Sequence, residues 1–144
     1  MDKINVSWEE YLEHLKQMFQ YAKTIQFNVV IGLVRGGLIP GVYLSHELDV
    51  PMISFDPHLL HSNGDPREPI NLPISPSIIK TVLIVDDISD TGKTLTKCTK
   101  FFDNRGFKVF TMSVFINETT TTFIPNYAVK DSEKKWVVFP YEKE

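Results

Sequence analysis

The sequence holds a single cysteine, Cys98, so no disulfide can close within the chain and no cysteine pair is available for zinc. It has no excess of positive charge. Fifteen Lys and Arg stand against 18 Asp and Glu, a net charge of −3, which leaves no broad basic surface for nucleic acid. No apolar run is long enough to cross a bilayer, and no N-terminal stretch has the pattern of a signal peptide. A cytoplasmic protein with no membrane partner is therefore expected. No repeat, low-complexity tract or break in composition divides the chain. What is present is 144 residues at 42% hydrophobic, enough for one domain with its own core over residues 1–144.

The order of elements is readable from periodicity. Ser7-Trp8-Glu9-Glu10 has the capping-box pattern, and Trp8, Tyr11, Leu12, Leu15, Met18, Phe19 and Ala22 recur at helical spacing after it. Val29 to Leu33 reads as a buried strand, Leu38 to Leu48 as a helix with Pro40 in its first turn, and Met52 to Phe55 as a short strand. Asp56 to Pro76, rich in Pro, Asn, Asp and Gly, reads as a long irregular excursion. Loops of that length in a compact domain are usually functional or mobile. The apolar run Val82 to Val85 is a further strand. A helix follows from about Gly92 to Asn104, with Gly106 just past its end. Lys108 to Phe115 and Tyr127 to Val129 read as strands, Thr119 to Thr122 as a polar loop, and Trp136 to Phe139 as an apolar piece ended by Pro140. Strands alternating with helices predict an α/β fold, a mostly parallel sheet flanked by helices.

The most informative run is Val82 to Leu95. Asp86 and Asp87 lie at the C-terminal end of a buried strand, the edge where open α/β sheets bind ligands. The turn after them carries Ser89, Thr91 and Thr94 hydroxyls and free N–H groups at a helix N-terminus, which suit a phosphate dianion. The acidic pair suits ribose hydroxyls and a Mg²⁺-bearing ligand. The combination points to a phosphorylated sugar. Gly92-Lys93-Thr94 ends like a nucleotide P-loop, but that pattern needs glycine where Asp87 stands, and a carboxylate there would repel a triphosphate. The plainest alternative is an acidic strand end followed by an ordinary helix cap.

Two further segments carry chemistry. Val34-Arg35-Gly36-Gly37 closes a strand and opens a helix; its glycines let N–H groups approach an anion, and Arg35 adds a fork of donors. Alone it could equally be a plain strand–helix turn. Trp136-Val137-Val138-Phe139-Pro140-Tyr141-Glu142 offers a flat apolar face and backbone edges, which suit a heterocyclic base, or else a strand buried for stability. Asp56, His58 and His61 lack the spacing of a zinc site. His14, His46, Lys134 and Lys135 read as surface residues.

The run Asp86-Asp87-Ile88-Ser89-Asp90-Thr91-Gly92-Lys93-Thr94 resembles the phosphoribosyl-pyrophosphate motif of type I phosphoribosyltransferases, in the form used by the 6-oxopurine branch. The segments Val34–Gly37 and Trp136–Glu142 resemble that family's pyrophosphate loop and base-reading segment, and they occur in family order. The resemblance implies a sheet with a small hood over its C-terminal edge, formed by about 56–76 plus the C-terminal segment. It implies transfer of the 5-phosphoribosyl group from phosphoribosyl pyrophosphate (PRPP) to a purine, with Mg²⁺ as cofactor and release of pyrophosphate, in purine salvage. Asp86, Asp87 and Ser89 to Thr94 would hold ribose and 5-phosphate, and Asp90 would act as general base for the purine N7 proton. Val34, Arg35, Gly36 and Gly37 would hold pyrophosphate, across a cis Val34–Arg35 peptide. Ile88, Asn117, Trp136 and Val137 would contact the base, and Asp86, Asp87 and Glu142 would attend the metal. Arg67, in the hood, would reach a phosphate. Relatives that read the 6-oxo group commonly carry lysine where Asn117 stands, which bears on the identity of the base. Another acceptor base, or a PRPP-sensing regulatory protein of the same fold, are the alternatives. Small relatives often pair as homodimers or higher homo-oligomers.

Overall fold

The computed structural model describes residues 2–142. Five strands form one parallel sheet in the order β3-β2-β4-β5-β6: β2 (Val29–Leu33), β3 (Met52–Phe55), β4 (Thr81–Ser89), β5 (Lys108–Ile116) and β6 (Tyr127–Asp131). Helices α1 (Trp8–Ala22) and α2 (Leu38–Leu48) cover one face, and α3 (Lys93–Asn104) covers the other. The sheet is buried on both sides, which is why β2 is apolar at nearly every position. Alternate residues serve opposite faces. Leu83 and Val85 pack with Tyr11, Leu15 and Met18 of α1, while Val82 and Ile84 pack with Leu95, Cys98 and Phe102 of α3. The Cys98 thiol is buried, and burial pushes its pKa up to about 12.

The helix start at Ser7 forms as the sequence pattern predicts. Its hydroxyl accepts from Glu10 N–H and the Glu10 carboxylate accepts from Ser7 N–H, both at 3.1 Å. Trp8 and Leu12 share the helical spacing but stay largely exposed, at 57% and 43%. Three strands exceed the expected lengths, β5 by the single residue Ile116. β4 runs on through Asp86 to Ser89 because its pairing with β5 continues (Asp86↔Ser113, Ile88↔Phe115, Ser89↔Ile116), and β6 reaches Asp131 by pairing with Ile116. A separate two-stranded parallel sheet joins β1 (Lys3–Asn5) to β7 (Trp136–Val138).

The excursion after β3 is tied down at its start. Asp56 accepts from His58 N–H (2.9 Å) and caps a 3₁₀ turn over Pro57–Leu59. Leu60 is then fully buried in the core on the α3 face, and it bridges to Pro66. Arg67 is anchored within the excursion: its Nε donates to the His58 carbonyl at 3.1 Å.

Candidate active site

The chain leaves β2, passes outward through α2 to β3, and returns to β4 on the other side of β2. The C-terminal ends of β2 and β4 therefore flank a topological switch point, where the diverging loops leave a crevice. Two cavities open there. The larger, about 750 Å³, is lined on one side by Val34, Arg35, Gly36 and Ile39 and on the other by Pro57, His58, Lys97, Tyr141 and Glu142. The smaller, about 250 Å³, follows the turn from Ile88 through Gly92 to Leu95. Asp86, Asp87 and Thr94 line both, so the acidic pair sits on the seam.

Each cavity opens on a helix start with spare N–H groups. Helix α2 begins at Gly37 and α3 at Gly92, and neither start has a side-chain cap; Leu38 N–H donates to the Arg35 carbonyl (3.1 Å), Lys93 N–H lies 3.4 Å from Thr91 Oγ1 and Pro40 has no N–H, so the donors left for an anion are Ile39 at α2 and Thr94 and Leu95 at α3. Gly92 adopts φ +85, and a side chain there would strike Phe123 N and Thr121 Oγ1 at under 3 Å. The Val34–Arg35 peptide is cis, as the resemblance implies.

The two carboxylates are fixed by their own backbone. Asp86 Oδ1 accepts from Asp87 N–H (2.9 Å), and Asp87 Oδ1 accepts from Ile88 N–H (2.7 Å). Gly36 lies directly against Asp87: a Cβ there would stand 2.0 Å from Oδ2. The Tyr141 hydroxyl approaches the same oxygen at 3.5 Å. Burial, then the neighbouring Asp87 charge, drive the Asp86 pKa well above the ordinary carboxylate value. Burial also raises Asp87, with the Glu142 charge adding to it. Two crowded, half-desolvated carboxylates facing an open cavity are a donor set for a hard cation. Among the described residues no three His, Cys, Asp or Glu side chains converge as a closed cage. Such a pair fits Mg²⁺, which is commonly held by one or two carboxylates together with substrate oxygens and water.

A threonine loop that sequence reading left as plain polar connection braces the β4–α3 turn. Thr120 Oγ1 donates to the Asp90 carbonyl (2.8 Å) and lies 3.2 Å from its Oδ1. Thr122 donates twice to the Thr91 carbonyl, through N–H and Oγ1, both at 2.9 Å. Thr121 Oγ1 meets Ser89 Oγ at 3.0 Å. Ser89 thus departs from the role expected of it. Its backbone edges the smaller cavity, but its side chain is buried and its hydroxyl is held by Thr121 and the Phe123 carbonyl (3.1 Å), leaving it engaged inward rather than on a phosphate.

Of the other candidate residues, Val34, Arg35, Gly36, Asp86, Asp87, Ile88, Asp90, Thr91, Gly92, Thr94 and Glu142 come together on the two cavities. Gly37, Lys93, Asn117, Trp136 and Val137 do not line them. Val137 packs in the core, and Trp136 on β7 is 58% exposed. Asn117 turns its amide to Asp90 (3.1 Å) and Thr119 (2.8 Å), not into the cleft where a base contact was expected. Ile39, Lys97 and Tyr141 were not foreseen. Lys97 lies one helical turn after Thr94, so helical spacing from the motif could have found it.

A parallel α/β sheet with two anion-receptive helix starts and an acidic pair between them defines a class that handles phosphorylated sugars. The chain belongs to the family described as the phosphoribosyl transferase domain, whose match spans residues 7–143. It is 28% identical over 128 residues to the xanthine-guanine phosphoribosyltransferase of Cereibacter sphaeroides, covering 81% of this chain and 70% of that one. A protein of the same name from Idiomarina loihiensis is 24% identical, over 95% of this chain and 85% of its own. Among solved structures, the purine phosphoribosyltransferase of Pyrococcus horikoshii superposes with a TM-score of 0.83 at 32% identity, over 100% of this chain and 97% of that one. The expected parallel α/β architecture and the expected enzyme class, a phosphoribosyltransferase, both hold.

Proposed function

We propose that this enzyme, a single phosphoribosyltransferase domain, transfers the 5-phosphoribosyl group from PRPP to a purine base, a 6-oxopurine, and releases pyrophosphate. The observation that carries this reading is the shared seam. Asp86 and Asp87 line both cavities, so one activated pentose with an anion at each end can lie across them. The names of the relatives support a 6-oxopurine as acceptor.

The turn from Asp90 to Thr94 holds the 5-phosphate by N–H groups and by the Thr91 and Thr94 hydroxyls. Asp86 and Asp87 hold the ribose diol. Val34 to Gly37 hold the pyrophosphate, with the Arg35 guanidinium as its charge partner. Asp86, Asp87 and Glu142 are the residues that would attend Mg²⁺, which when bound neutralises charge on the departing pyrophosphate. As the bond from ribose C1 to pyrophosphate oxygen breaks and the bond to the purine nitrogen forms, Asp90 takes the proton from N7. Ile88 lines the base side.

The test is pyrophosphate release from PRPP and Mg²⁺ with hypoxanthine, xanthine, guanine, adenine, uracil and orotate in turn. Turnover with at least one 6-oxopurine, and little with the other three, is expected. Turnover confined to adenine or a pyrimidine, or none at all, refutes the reading. Asp90→Asn is expected to lower kcat by about two to four decades while PRPP binding persists.

A further inference from the structure

Asp90 is exposed, yet its side chain is held. An Asp in a turn ordinarily bonds backbone groups within a few residues of itself. Asp90 instead receives side-chain donors from positions 27 and 30 residues further along the chain. Asn117 Nδ2 donates to Oδ1 at 3.1 Å, and Thr120 Oγ1 lies 3.2 Å from the same oxygen. Among the described residues nothing donates to Oδ2.

The two donors are not equal. Thr120 has one hydroxyl proton, and its shorter contact, 2.8 Å, is to the Asp90 carbonyl. Asn117 is the dedicated donor to the carboxylate. It sits in a frame of its own: 9% exposed, with its N–H donating to the Ser89 carbonyl (2.9 Å) and its Oδ1 accepting from Thr119 Oγ1 (2.8 Å). The amide orientation follows from chemistry, since an ionised carboxylate can only accept.

We propose that Asn117 is a positioning residue that acts on the reaction through Asp90. It pins Oδ1 so that Oδ2 stands free toward the base. This deepens the proposed function and rests on Asp90 being the general base. Without the Asn117 donor an exposed Asp side chain spreads over several rotamers, and displacement of a reacting group by about 1 Å can cost a hundredfold in rate.

The experiment is a double-mutant cycle read as kcat and KM for both substrates. Asn117→Ala is expected to lower kcat by roughly 10- to 100-fold, with KM for PRPP changed less than about twofold. Asn117→Asp keeps the shape but replaces the donor with an acceptor, and is expected to be at least as slow. Thr120→Val is expected to have the smaller effect. In an Asp90→Asn background, adding Asn117→Ala is expected to change kcat less than about twofold, because the group it positions is already disabled. A full multiplicative loss in that background, a near-normal Asn117→Asp enzyme, or a rise in base KM with kcat unchanged each overturns the proposal. An Asp90→Asn enzyme with normal turnover instead overturns the role of Asp90, and so the reading beneath it. If Asn117→Ala does not fold, Asn117→Asp in both backgrounds decides: loss of its effect in Asp90→Asn supports the proposal, and full retention overturns it.

Discussion

Gly36→Ala adds a single carbon at the tightest point of the cleft. That carbon would stand 2.0 Å from Asp87 Oδ2, 2.3 Å from its Cγ and 3.0 Å from its Cβ. Non-bonded carbon and oxygen need at least about 3 Å, so the carboxylate or the loop must shift by about 1 Å. The shift is opposed on both sides, by the 2.7 Å bond from Ile88 N–H to Asp87 Oδ1 and by the backbone bonds that hold the loop around Gly36, Gly37 N–H to the Leu33 carbonyl (2.8 Å) and Leu38 N–H to the Arg35 carbonyl (3.1 Å). A reacting group misplaced by that much can cost about a hundredfold. Overpacking of this kind usually destabilises by about 1–3 kcal/mol. The low end is expected here, because moving Asp87 toward water relieves part of its burial. The assay is initial-rate pyrophosphate release with PRPP varied at several Mg²⁺ concentrations, alongside a thermal melt. A fall of about a hundredfold or more in kcat/KM for PRPP is expected, with base KM within about twofold and Tm lower by a few degrees. A folded variant with wild-type kcat/KM would show that the Asp87 carboxylate can leave its place without consequence, and would remove it from the sugar site.

Other expectations follow from the same geometry. The raised pKa values of Asp86 and Asp87 mean that the folded protein keeps protons which the unfolded chain releases near pH 4, so their contribution to ligand-free stability falls as pH rises through the raised values. Asp86→Asn removes much of that fall. Its unfolding free energy, measured against wild type without ligand, should be equal near pH 4 and should gain with rising pH to about 0.5–2 kcal/mol, the usual size of a stabilising change. A difference that shrinks as pH rises refutes this. The depressed pKa of His14 acts alike in both proteins and cancels in the comparison. Leu60→Ala, at a fully buried position, should cost about 2–5 kcal/mol in urea unfolding, and should raise KM for PRPP by loosening the turn that brings Pro57 and His58 to the cavity.

Where local pattern and tertiary structure agree, the sequence was sufficient. Val29–Leu33, Leu38–Leu48 and Met52–Phe55 were readable to the residue, because an apolar run buried on both faces and a Pro in the first turn are local signals. The acidic motif was readable because its chemistry is contiguous. What escaped notice depends on partners far along the chain. Lys3–Asn5 has no apolar run and becomes a strand only by meeting Trp136–Val138. The segment Thr119 to Thr122 has the composition of any surface loop, and its value lies in bonds to Ser89, Asp90 and Thr91 about thirty residues earlier. Asn117 and Ser89 were given ligand contacts because their positions suited the motif, whereas their hydrogen-bond partners are within the protein. Trp8 and Leu12 show the converse, fitting the helical stripe yet facing outward.

The small β1–β7 ribbon sets an order of assembly. Lys3 pairs with Trp136, so the ends of this ribbon are separated by nearly the whole polypeptide. Closing a flexible loop of about 130 residues costs on the order of 4 kcal/mol from chain entropy alone, far more than three residue pairs return. The ribbon can zip only after the central sheet has drawn its ends together. On a ribosome, Lys3 to Asn5 must therefore wait for Trp136 to Val138, and Ile4 and Val6 stay uncovered until Val137 and Phe139 emerge to meet them.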